Sequence, residues 1–92
     1  MTVRWNPDKE RRLAAERGIS LAEVATIIIT ERYTAVFENP SRPSQAIFIV
    51  NYHSYTHVVP FVIDRDENIL LKTAYPSRKF HKIFGRHHED ET

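Results

Sequence analysis

The chain has 92 residues, 41% hydrophobic, 27% charged and 11% aromatic, which is one domain's worth of sequence with enough apolar side chains to fold; neither a second core nor intrinsic disorder is expected. Cysteine is absent, which excludes disulfide staples, thiolate metal ligands and cysteine nucleophiles and fits a reducing compartment. Thirteen Lys and Arg against twelve Asp and Glu leave a formal charge of +1, so a surface for a polyanion must come from how the charges are distributed.

Residues 3–5 read as a brief strand. Asn6-Pro7 then opens a helix, with Asn6 as the cap and Pro7 at the first helical position, where its missing N–H costs nothing. This helix runs to about Arg17 and stops at Gly18, the left-handed residue after a helix. Its apolar face is thin (Leu13, Ala14, Ala15), which predicts a surface helix, and Asp8 stands four residues before Arg12 as an exposed ion pair. Trp5 beside the cap reads as a core anchor.

Ser20 and Glu23 have capping-box spacing, and Ile19 can staple onto Val24. Leu21, Val24, Ala25 and Ile28 form the i, i+3, i+4, i+7 stripe of a helix docked on a core and ending near Thr30. Strands follow at 34–37, 45–52, 56–64 and 69–75, separated by a loop with Pro40 and Pro43, a tight turn around His53-Ser54-Tyr55 and a polar turn at 64–68. They suggest an antiparallel meander. Pro60 lies inside the third of them and predicts an edge position or a bulge, because proline cannot donate a ladder hydrogen bond. Pro76-Ser77 starts a last helix over 78–84, closed by Gly85, and residues 87–92 form a polar tail.

Between Asn68 and His88 there is no Asp or Glu, while Lys72, Arg78, Lys79, Lys82 and Arg86 are all cationic. On a helix Arg78, Lys82 and Arg86 align on one face, and Phe80 and Phe84 occupy another that can anchor to the sheet. Such a stripe suits phosphates, and Tyr75 and His81 are close enough in sequence to touch or stack on unpaired bases. No metal site is expected: His53 and His57 flank a turn without carboxylate or cysteine partners, and His87-His88 lie in the tail. With only two glycines there is no phosphate-binding loop, and no nucleophile-elbow motif occurs. No cofactor is expected.

Three local motifs, Trp5-Asn6-Pro7-Asp8-Lys9, Gly18-Ile19-Ser20-Leu21-Ala22-Glu23-Val24 and Pro76-Ser77-Arg78-Lys79, occur in an order that resembles the BrnT-type toxins of bacterial type II toxin–antitoxin pairs. The resemblance spans nearly the whole chain. It departs at Asn6, where the family usually has Asp, and at Ser77-Arg78-Lys79-Phe80, where the family typically closes on an Ala-Arg pair followed by alanine. It implies an α+β, RelE/ParE-like domain over 1–86, with two N-terminal helices on a small antiparallel sheet of about four strands and a short basic C-terminal helix. It also implies a metal-independent endoribonuclease toxin neutralised by a tightly bound antitoxin.

On that reading Arg78, in the closing motif, holds the scissile phosphate. Lys72 or His57 transfers protons and Lys79 adds charge, these three chosen from charge and placement. Lys82, Arg86, Tyr75 and His81 contact RNA. The expected partners are a cognate antitoxin and RNA, with operator DNA reached only through the antitoxin. No apolar run approaches the roughly 18–20 residues of a membrane span and no secretory signal is seen, so the expected location is the cytoplasm. The competing readings are a non-catalytic antitoxin-binding module acting in operon repression and a plain RNA-binding domain.

Overall fold

The computed structural model describes residues 2–85; Arg86 and the tail 87–92 lie outside the described residues. Nine elements follow one another: β1 (Val3–Trp5), α1 (Pro7–Arg17), α2 (Leu21–Ile29), β2 (Ala35–Glu38), β3 (Ala46–Tyr52), β4 (Tyr55–Ile63), β5 (Ile69–Leu71), β6 (Tyr75–Pro76) and α3 (Arg78–Phe84).

Both N-terminal helices start and stop where their capping residues dictate. The Asn6 side chain accepts the N–H groups of Asp8 and Lys9 at 2.7 and 3.3 Å, and Gly18, at φ 65°, donates its N–H to the Ala14 carbonyl. Only Leu13 of α1 is buried, as its thin apolar face requires. Asp8 pairs with Arg11 rather than with Arg12. In α2 the Ser20 hydroxyl accepts the Glu23 N–H at 3.2 Å, and Leu21, Val24, Ala25 and Ile28 are all buried. Burying Leu21, Val24 and Ile28 contributes about 1.5–3 kcal/mol each, so this short helix is held by its docked face.

The sheet is ordered β1-β5-β4-β3-β2, with β6 pairing a further stretch of β4. It is mixed, not antiparallel, and has six strands where four and a brief first one were expected. The two helices carry the chain from one edge to the other, the meander β2 to β5 returns, and β5 then runs alongside β1 in the same direction. Strand register assigns the faces. Phe48, Val50, Tyr52, Val59, Phe61, Ile69 and Leu71 pack with α2 and Leu13, whereas Ile47, Ile49 and Val58 lie on the opposite face under Phe80 and Phe84 of α3. The two phenylalanines also stand over Phe37 of the edge strand β2, with ring centroids 6.4 and 6.1 Å away.

Pro60 occupies an interior strand after all. Its carbonyl accepts the Lys72 N–H at 2.8 Å, so the position of its missing N–H faces the same side, where the partner strand breaks between β5 and β6. This break also divides the single strand expected at 69–75 in two. Ala74, fully buried, turns into the core at the interruption. The proline is therefore tolerated because no donor is required of it there.

Candidate functional site

At one end of the sheet the β3–β4 hairpin closes in a two-residue turn, His53 and Ser54, both at positive φ (51° and 63°). That turn crowds aromatic and imidazole rings together. Tyr52 stacks on His53 with centroids 4.0 Å apart and meets His57 edge-on at 5.2 Å. Tyr55 lies parallel to the His81 ring at 4.1 Å and edge-on to His57 at 6.2 Å. One tyrosine ring thus stands between two histidines that belong to opposite faces of the sheet.

The two histidines differ in chemistry. His57 is buried, its Nδ1 lies 2.9 Å from the Tyr55 carbonyl, and burial, with nearby His53, holds its imidazole below the ordinary range despite that carbonyl. His81 is half-buried and rests on Thr56. The Thr56 N–H donates to its Nδ1 at 3.3 Å and the Thr56 hydroxyl lies 3.0 Å from the same nitrogen. A backbone N–H can only donate, so Nδ1 is the acceptor and the proton of the neutral ring sits on Nε2. Nε2 is then the nitrogen available to a ligand.

His81 also lines a hollow of about 340 Å³ whose other walls are Thr34, Asn51, Ser54, Thr56, Phe84 and Gly85. Three hydroxyls, one amide and an imidazole make it polar, a suitable lining for a sugar or a base edge. Gly85 is part of its construction. A β-carbon there would fall 2.5 Å from Cε1 and Nδ1 of His81, and the residue lies in the right-handed region at φ −68°. The closing glycine of α3 is therefore required for space, and not for the left-handed conformation that a helix-closing glycine suggests.

The residues expected to act together are distributed over three places. Arg78, Lys79, His81 and Lys82 share α3, whose first turn is capped by the Ser77 hydroxyl accepting the Phe80 N–H at 3.2 Å. Arg78 and Lys82 are neighbours by helical spacing, and His81 is three residues from Arg78. The Lys79 ammonium sits 5.7 Å from the centroid of the Phe80 ring, a cation–π position. His57 faces α2 from the far side of the sheet, so it does not meet Arg78. Lys72 is exposed at the end of β5 beside Pro60, four residues along β4 from Thr56, or ~13 Å at the usual strand rise. Tyr75, on β6, pairs with Val58 between those two points.

Sequence reasoning did not anticipate Thr56 or the hollow. The pairing of Asn51 with Thr56 next to a two-residue turn is a tertiary relation with no local signature. Nor did sequence reasoning anticipate that Arg4 of β1 and Lys9 and Arg12 of α1 join Lys72 in lining one open hollow. Among the described residues no three His, Asp or Glu side chains converge to hold a metal ion, and no helix is long and apolar enough to cross a membrane. No family model, curated protein or solved structure matches the chain.

Proposed function

We propose that this chain is an RNA-cleaving toxin of the BrnT type, restrained by a cognate antitoxin, and that His81 with Arg78 and Lys82 forms its working surface. The observation that carries this reading is the imidazole of His81: its Nδ1 is engaged by Thr56, its ring opens on a polar hollow, and Arg78 and Lys82 stand on the same helix. A 2′-hydroxyl attack on a phosphodiester needs charge stabilisation on the phosphate and a proton for the departing 5′-oxygen. Arg78 and Lys82 provide the first. Water takes the 2′-hydroxyl proton and returns one to the departing 5′-oxygen, whose developing charge the Nε2–H of the neutral His81 ring stabilises as a hydrogen-bond donor. The α+β order of elements and the three motifs that resemble the BrnT family give the biological context.

The test is cleavage of an internally labelled RNA by the purified chain. His81→Ala should slow cleavage about 10²–10³-fold, as for one lost charge-stabilising hydrogen-bond donor, and Arg78→Ala about 10²-fold or more for the same reason. Circular dichroism should be unchanged in both. Intact RNA with the parent chain, or full activity in both variants, would overturn the reading. The non-catalytic module is favoured by one specific finding, the separation of His57 from Arg78 by the sheet. Normal growth of bacteria expressing the chain alone, with RNA stable, would decide for that module.

A further inference from the structure

The hollow lined by Arg4, Lys9, Arg12 and Lys72 measures about 680 Å³, and beside it lies a second of about 450 Å³ lined by Lys9, Arg42, Lys72 and Tyr75. They adjoin through Lys9 and Lys72, which line both, and make up one depressed surface. Five cations line it against two carboxylates, in a chain whose formal charge is only +1. Both carboxylates are occupied locally: Asp8 pairs with Arg11, and Asp64 accepts the N–H groups of Asp66 and Asn68, each at 2.9 Å. Charge is therefore segregated, and the depression is a positive surface on a nearly neutral molecule.

Its position along β4 gives it a direction. Pro60, Val58 and Thr56 are alternate residues on the α3 side of the sheet. Lys72 is bonded to Pro60, Tyr75 pairs with Val58, and His81 rests on Thr56. Lys72, Tyr75 and His81 thus stand in order over the ~13 Å that four strand residues span. Tyr75, 36% exposed, offers a ring face between the cations and the imidazole. Cations that follow a backbone, with an aromatic ring on which a base can stack, are the means by which proteins hold single-stranded nucleic acid with little regard to sequence.

We propose that this depression is a track for single-stranded RNA, with Arg4, Lys9, Arg12, Arg42 and Lys72 taking phosphates and Tyr75 a base, and that the strand runs from it past Tyr75 towards His81. The proposal rests on the RNA reading above and extends it by assigning where the rest of the substrate lies. The α1 cations acquire a role in it, and Lys72 becomes a binding residue ~13 Å from the candidate reacting centre.

The test measures binding of the intact chain to a 2′-O-methyl oligouridylate of about twelve nucleotides, which carries phosphates but has no 2′-hydroxyl to react. Each phosphate contact on a single strand contributes about 0.7 to the slope of log K against log salt, so Lys9→Gln with Lys72→Gln should flatten that slope by about 1.4. Arg42→Gln alone should flatten it by about 0.7; this exposed loop position guards against misfolding of the double variant. Arg17→Gln with Arg32→Gln removes the same charge away from both hollows and should leave the slope unchanged. Equal slopes in the parent chain and the double variant, or an equal loss in the control, would overturn the track. A polyglutamate peptide that binds the parent chain but not the double variant, while oligouridylate binds both alike, would overturn it in favour of an acidic protein partner. If RNA cleavage fails while the slope falls as expected, the track stands and the nuclease reading does not; cleavage with an unmoved slope gives the reverse.

Discussion

Tyr52 and Glu23 join the β3–β4 hairpin to the start of α2: the Tyr52 hydroxyl donates to Glu23 Oε2 at 2.8 Å while accepting the Ser20 N–H at 3.0 Å. In an ordinary capping box the glutamate would reach back to the Ser20 N–H itself. Here a tyrosine oxygen is interposed, and the cap becomes a tertiary contact. Burial raises the Tyr52 hydroxyl above its ordinary value, and the Glu23 carboxylate adds to this against the Ser20 N–H. Tyr52→Phe should cost about 1–3 kcal/mol in urea unfolding, because it leaves the part-buried Ser20 N–H without its acceptor. Glu23→Gln keeps an acceptor in place and should cost less; an equal loss in both variants would show that the relay does not hold the helix start.

His57 makes stability depend on pH. Its folded-state value is depressed from 6.5 by burial and by His53, so above 6.5 the imidazole is neutral in folded and unfolded chains alike and this contribution is at its full value. As pH falls below 6.5 the unfolded chain takes up a proton that the folded chain resists, and stability declines until the depressed folded value is passed. The urea midpoint should therefore drop between about pH 7.5 and about pH 5, and the drop should be smaller in His57→Leu. Parallel curves for the two proteins would remove His57 as the cause.

The two glycines should behave oppositely. Gly18 sits at φ 65°, and a β-carbon there would meet nothing within 4 Å, so Gly18→Ala should cost about 1–2 kcal/mol of stability from backbone strain alone. It should leave RNA cleavage intact, and Gly18→Asn should recover part of the loss. Gly85→Ala carries no such conformational penalty but drives a methyl group into His81. It should cut RNA cleavage by more than any loss of folded protein accounts for, with oligouridylate binding retained. Activity equal to the parent would mean that the pose of His81 against Gly85 is not the working one.

On the nuclease reading proposed above, Thr56 is a positioning residue that acts through His81. Thr56→Val keeps the shape and the backbone N–H but loses the hydroxyl 3.0 Å from Nδ1, and it should slow cleavage about tenfold, the rate equivalent of one hydrogen bond near about 1.4 kcal/mol. The acidic limb of the pH–rate profile should move with it, which a loss of packing alone would not cause, and Thr56→Ser should restore both rate and profile. An unaltered profile would reduce Thr56 to a structural neighbour.

What the sequence determined by itself is local. Asn6-Pro7, Gly18, Ser20 and Ser77 set helix ends through side-chain and backbone preferences that act within a few residues. The stripe from Leu21 to Ile28 selected the buried face of α2, and Phe80 with Phe84 marked the docked side of α3. Relations across the sheet were decided only by tertiary structure. The parallel pairing of β1 with β5 joins Val3 to Ile69, far apart in sequence, and Pro60 is accommodated inside the sheet because its neighbour breaks at Lys72 to Ala74. The same holds for the candidate site. Charge and spacing on α3 were readable, but His57 and His81 look alike in sequence, and only the alternation of side chains on β4, with Tyr55 between the two rings, buries one and sets the other on Thr56 at the edge of a polar hollow.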